Sequence, residues 1–118
     1  MAKIIVRRTS KNRAKLIQRT IKWCVDLWGL WTVLEIRVGI QHVEECYGTC
    51  DRNEEHCYRI TVDPWMSPED LVSTLIHEMV HVRQWETSNW VDDGEEEAER
   101  ICGVLSDIFW SEYLEEKI

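Results

Sequence analysis

The stretch CYRITVDPWMSPEDLVSTLIHEMVH, residues 57–81, decides the fold. Its first seven residues alternate apolar and polar side chains, the period-two signature of a half-buried strand. Pro64 closes that strand, because proline has no N–H to give to a ladder. Ser67-Pro68-Glu69-Asp70 then predicts a helix start, with serine as N-cap, proline at the first helical position and an acid at the third able to close a capping box. The helix is expected to last to about Ser88, so this stretch reads as strand, tight connection, helix.

Upstream, KIIVRR at residues 3–8 reads as a short strand. Ser10 can cap a helix running to about Gly29, in which Leu16, Trp23, Leu27 and then Leu30 recur at helical spacing. In TVLEIRVG, residues 32–39, Val33, Glu35 and Arg37 alternate with Leu34, Ile36 and Val38, as in a half-buried strand. Residues 40–56 are polar, contain Gly48, Asp51 and Asn53, and read as a loop. Downstream, Asp92-Asp93-Gly94 opens an acidic-headed helix to about Glu116. No repeat or linker divides residues 1–118, so one domain is expected. The order strand, helix, strand, strand, helix, helix predicts an α+β fold with a short, mostly antiparallel sheet.

Composition narrows the function classes. Seven tryptophans against one phenylalanine predict that Trp23, Trp28, Trp31, Trp65, Trp85, Trp90 and Trp110 supply much of the buried area. No apolar run of membrane-spanning length and no signal-like opening are present, so a cytoplasmic protein without a membrane partner is expected. Five irregularly spaced cysteines suit a reducing interior better than a disulfide framework. The net charge of −8 hides a split, because eight of the 14 bases precede the first acid, Asp26. This segment (Lys3 to Lys22) could be a basic arm for nucleic acid. It could equally be a solvated helix face balancing an acidic domain, and the interleaved apolar residues favour the latter.

The chemistry is concentrated in His77-Glu78-Met79-Val80-His81. Residues four apart share a helix face about 5–6 Å apart, so both imidazoles can address one ion. Glu78, rotated by about 100° from His77, lies beside the ion, where it can serve as a base. Shuffling this composition yields roughly 0.02 matches to the motif by chance. A catalytic Zn²⁺ with three protein ligands needs one more carboxylate, and Glu95-Glu96-Glu97-Ala98-Glu99 offers four. Steps of three and four from Glu97 reach Ile101, Val104 and Ile108, which are apolar, whereas steps from Glu95 reach Glu99, Cys102 and Ser106. Glu97 is therefore the expected third ligand and Glu95 the runner-up.

HEMVH on one helix, followed sixteen residues after His81 by Glu97-Ala98 on the next, resembles the gluzincin arrangement of zinc metallopeptidases in minimal form. LIHEMVHVRQ together with EEEAE also resembles small phage-encoded and SprT-like metallopeptidase domains. The resemblance is best over residues 57–105. It implies a zincin-like domain, His77, His81 and Glu97 as zinc ligands, Glu78 as general base and hydrolysis of a peptide bond. It also implies that CYRITVD lies at the cleft edge and pairs with an extended peptide substrate. The sequence departs from the pattern twice: Ile101 stands where many gluzincins carry an acid, and no third histidine follows His81. Tyr58, Arg83, Arg100, Tyr113 and His56 are the candidates for a transition-state electrophile.

Two further readings remain. His42, Cys46, Cys50, His56 and Cys57 crowd one polar segment and could hold a second, structural zinc, but their spacing lacks a C-x₂-C knuckle and equally suits a turn. Cys24 and Cys102 fit helix interiors. Instead of an enzyme, the chain could be a binding module in which zinc only stabilises a small fold, or a nucleic-acid-associated protein using its basic first helix.

Overall fold

The computed structural model describes residues 2–43 and 47–117. Along the chain run β1 (Lys3–Val6), α1 (Lys11–Trp28), β2 (Glu35–Ile40), β3 (Gly48–Glu54), β4 (Cys57–Val62), α2 (Pro68–Thr87) and α3 (Glu95–Lys117). Among the described residues, three helices and a four-stranded mixed sheet make this an α+β fold, and no helix is long and apolar enough to cross a membrane.

The helix boundaries follow from caps that the sequence announces. Ser10 accepts a hydrogen bond from the Arg13 N–H at 3.2 Å, and α1 ends at Gly29 with φ of 61°. Ser67 caps α2 in the same way through the Asp70 N–H, with Pro68 in the first turn. Arg13 donates to the backbone oxygens of Pro64 and Met66, at 3.3 and 2.6 Å, and so ties the start of α1 to the turn before α2.

The strand order is β1-β2-β4-β3. β1 pairs with β2 and β2 with β4 in parallel, and only β3 runs antiparallel, against β4. The expected mostly antiparallel sheet is therefore corrected. Helix α1 returns the chain across the sheet, so β2 restarts in the direction of β1. The rest of the difference is β3, which occupies residues read as a loop. GTCDRNE has the wrong composition for a central strand, but as an edge strand it needs only one ladder. The turn into β4 places His56 at φ of 65°.

One face of the sheet builds the core. Ile4, Ile36 and Tyr58 form one row across β1, β2 and β4, and Val6, Val38 and Ile60 form the next. α1 and α2 pack on the sheet and on each other, burying Ile17, Ile21 and Cys24 from the first and Leu71, Val72, Leu75, Ile76 and Met79 from the second. Each such aliphatic side chain contributes roughly 1.5–3 kcal/mol when fully buried. On the opposite face Arg37 and Arg59 are exposed.

Tryptophan does not supply this core, contrary to expectation. Trp23, Trp28, Trp85 and Trp110 only flank it, while Trp31, Trp65 and Trp90 are exposed. The largest fully buried rings are Tyr58 and Phe109. Phe109 also sets the rotation of α3. It meets Trp23 edge-on at 5.5 Å and stacks on Tyr113 at 5.8 Å. The inward stripe is therefore Ala98, Cys102 and Phe109, while Val104 and Ile108 are 60% and 43% exposed. The stripe chosen from sequence, Ile101-Val104-Ile108, is one residue out of phase, about 100° of helix rotation. The basic segment contributes contacts within the fold: part-buried Arg13 ties α1 to the turn before α2, and Arg19, on the surface, lies 5.0 Å over the Tyr113 ring.

Candidate metal centre and cleft

A cleft of about 870 Å³ runs along α2. Its floor is the helix face that carries Ser73, Thr74, His77, Glu78, His81 and Gln84. One wall is the first half of β3 with Tyr47, and the other comes from α3 and the segment before it, through Trp90, Asp93, Glu95, Glu99 and Cys102. The correction to the sheet matters here. CYRITVD is β4, an interior strand between β2 and β3, and the strand at the cleft edge is β3.

His77 and His81 have ring centroids 5.2 Å apart, as their spacing predicts. Their Nε2 atoms converge on one carboxylate: His77 lies 3.0 Å from one oxygen of Glu95 and His81 lies 2.8 Å from the other. Glu95, not Glu97, is the acid brought to both rings, because it shares the α3 face with Ala98 and Cys102. The Glu97 carboxylate accepts a hydrogen bond from Gln84 Nε2 at 3.1 Å.

Gln84 is the residue that sequence reasoning missed. It is buried, and its Nε2 also donates to the Gly94 carbonyl at 3.0 Å. A carbonyl can only accept, so the amide is oriented with Oε1 toward His81 Nδ1, 2.8 Å away. That nitrogen must carry the hydrogen, which leaves the Nε2 lone pair aimed into the cleft. The signal was available in the sequence: Gln84 stands three residues after His81 and seven after His77, a polar residue on the same face. Gly94 completes the arrangement. Its φ is 78°, and a Cβ there would lie 2.7 Å from the Gln84 side-chain carbon Cδ. On the other ring, His77 Nδ1 lies 3.2 Å from the exposed carboxylate of Glu99 without forming a hydrogen bond to it.

The donor set suits a small cation. Each Nε2 faces a carboxylate oxygen of Glu95, a contact that needs a proton or a cation between the partners, and for His81 the Nδ1–Gln84 bond leaves Nε2 available to the cation. Two imidazole nitrogens and a carboxylate are zinc ligands, and bonds of 2.0–2.1 Å in a tetrahedron place ligand atoms about 3.3 Å apart, close to the contacts seen. A second potential group, His77, Glu99 and Cys102, shares the first histidine; Cys102 is packed in the core, as expected, and also lines the cleft.

Glu78 is 5% exposed and lies beneath β3. Burial pushes its carboxyl up to about 7, with Glu95 and Asp51 adding to the rise and His81 opposing it. Gly48 permits this close approach: a Cβ would stand 2.7 Å from Thr74 Cγ2, 3.0 Å from the Thr61 carbonyl and 3.5 Å from Glu78 itself.

The electrophile candidates lie away from the cleft lining. Tyr58 and His56 are bound to Glu86, Arg83 sits 5.3 Å over Trp28, and Tyr113 stacks on Phe109. Arg100 is exposed on α3. Tyr47 is the phenol that lines the cleft. The proposed cysteine-loop ligands are dispersed: Cys50 lines the cleft, His42 pairs with Asp63 at 3.1 Å, and His56 with Glu86 at 2.9 Å. Cys57 opens β4, and Cys46 falls outside the described residues. Among family descriptions, curated proteins and solved structures, the comparisons found none that matches this chain.

Proposed function

We propose that the chain is a zinc-dependent peptidase-like hydrolase with a zincin-like arrangement, in which His77, His81 and Glu95 hold the metal and Glu78 is the general base. The observation that carries this reading is the convergence of two imidazole Nε2 atoms on the two oxygens of one carboxylate beside a buried acid, with the second nitrogen of His81 held by Gln84. When bound, zinc polarises a carbonyl and lowers the pKa of water toward about 7. Glu78 accepts the proton of the attacking water and delivers it to the leaving amine, and a carboxyl pushed up to about 7 suits both halves of that transfer. Gln84 holds the His81 ring in the tautomer that leaves Nε2 unprotonated. Glu97 acts through Gln84 and is a positioning residue. The extended substrate pairs with the open side of β3, the edge strand beside the base. The family resemblance of HEMVH and the following glutamate helix supplies the reaction type.

The cleft favours an enzyme over a module that uses zinc only as a staple, since a closed structural site needs no lined space beside its ligands. Zinc stoichiometry and peptide hydrolysis, measured together, test the proposal. Wild type and Glu97→Gln should retain one zinc per chain, Glu95→Gln should bind it weakly, and Glu78→Gln should keep zinc yet lose turnover. Full zinc binding by Glu95→Gln, or full activity in Glu78→Gln, would overturn these assignments.

A further inference from the structure

The carboxylates of Asp51, Asp70, Glu78, Asp93, Glu95 and Glu99 line the cleft beside the two imidazoles, and among the described residues no lysine or arginine lines it. Glu95 and Glu99 contact the imidazoles, Glu78 is the proposed base, and Asp93 accepts the Glu95 N–H at 3.0 Å. Asp51 and Asp70 line the cleft and form no ion pair among the described residues, Asp51 standing directly across the β3–β4 ladder from Arg59. They flank the centre. Asp70 precedes His77 by seven helical residues, about 10 Å along α2, which is the length of three residues of extended peptide. Asp51 is on β3, beside the open edge of the sheet. Tyr47 and Trp90, both substantially exposed, add aromatic surface that suits aliphatic stems and cationic heads. A cleft of one sign with poorly polarisable walls concentrates its field on the path of an incoming ligand.

We infer that this cleft takes cationic polypeptide segments, with lysine or arginine within about three residues of the bond over the centre, and that Asp51 and Asp70 are the specificity-determining carboxylates. The same field repels phosphate backbones and acidic peptides. The inference rests on the peptidase reading for the reaction but not for the binding, and the two can fail separately.

The test uses two fluorescein-labelled ten-residue peptides, alike except that one has lysine and the other glutamate at alternate positions. Binding is read by polarisation with zinc-loaded Glu78→Gln, which cannot turn them over, and cleavage with wild type. At low ionic strength the lysine peptide should bind roughly tenfold tighter, as two partly screened ion pairs would provide, and salt near 0.3 M should shrink that ratio. Asp51→Asn/Asp70→Asn, checked for unchanged circular dichroism, should reduce the preference severalfold. Equal binding of the two peptides, or a preference that the double substitution leaves intact, overturns the inference. Wild type cleaving both peptides with the same kcat/KM also overturns it, while sustaining the hydrolase. Charge-selective, Asp51/Asp70-dependent binding without cleavage sustains it, while refuting the hydrolase.

Discussion

Replacing Glu78 by glutamine should change how the stability of the metal-free protein depends on pH. The carboxyl rises from 4.5 to about 7 on folding, chiefly because α2 and β3 bury it. Between those values the folded chain binds the proton more tightly than the unfolded chain, so raising the pH favours unfolding. The penalty is absent below about pH 4.5 and complete above about pH 7, and 2.5 units correspond to about 3 kcal/mol. Glutamine has no proton to lose. Urea unfolding of chelator-treated wild type and Glu78→Gln between pH 4 and 8.5 reads Glu78 together with its coupling to His81, Glu95 and Asp51, because the titrating groups away from it are common to both and cancel in the difference. That difference should grow by about 3 kcal/mol in favour of the variant, with equal m-values marking unchanged compactness. Any constant offset from the buried amide leaves the slope untouched. A difference that stays flat to within about 0.5 kcal/mol would mean that Glu78 is solvated and not buried beneath β3.

Three other perturbations have defined outcomes. Gln84→Ala should weaken zinc binding about 10- to 100-fold by competition titration, because His81 loses the acceptor that orients it, and Glu97→Gln should weaken it less. Gly94→Ala should cost about 2 kcal/mol or more in urea, from the left-handed backbone and the Gln84 amide in the way, and less when Gln84 is already alanine. For Glu86, burial pushes the carboxyl up, but hydrogen bonds from Thr32, Tyr58 and His56 carry it below the usual carboxylate range. Its stabilisation is present above the unfolded pKa and is lost as pH falls through the folded one. Glu86→Gln should therefore cost about 1–3 kcal/mol at pH 7, with the two unfolding curves converging in acid.

Local rules carried the sequence reading a long way where caps and periodicity are strong. Ser10 to Gly29 and Ser67 to Ser88 bracket the first two helices, and His77 and His81 meet because their spacing is a property of the helix alone. The failures are non-local. β3 was invisible because an edge strand with one polar face is stabilised by its ladder to β4 and by the fit of Gly48 beneath α2, neither of which composition records. That Glu95 and not Glu97 meets the two rings follows from α3 carrying two apolar stripes. Counting apolar residues favours Ile101-Val104-Ile108, but the ring cluster around Phe109 buries more surface and turns the helix the other way. Tryptophan misled for a related reason: the sheet is covered on one face only, and the narrow interior between it and the helices fills with branched aliphatics, leaving indoles for the periphery.

The amide of Gln84 grips a ring on one side and a glycine turn on the other, so coordination strength and the seating of the last helix are a single variable. A change in residues 88–94 that lifts that turn would slacken His81 without touching it, and an ion drawn into the cleft would tighten the turn in return. Metal occupancy should thus be readable at a distance, as slowed amide exchange in the connection ahead of Glu95.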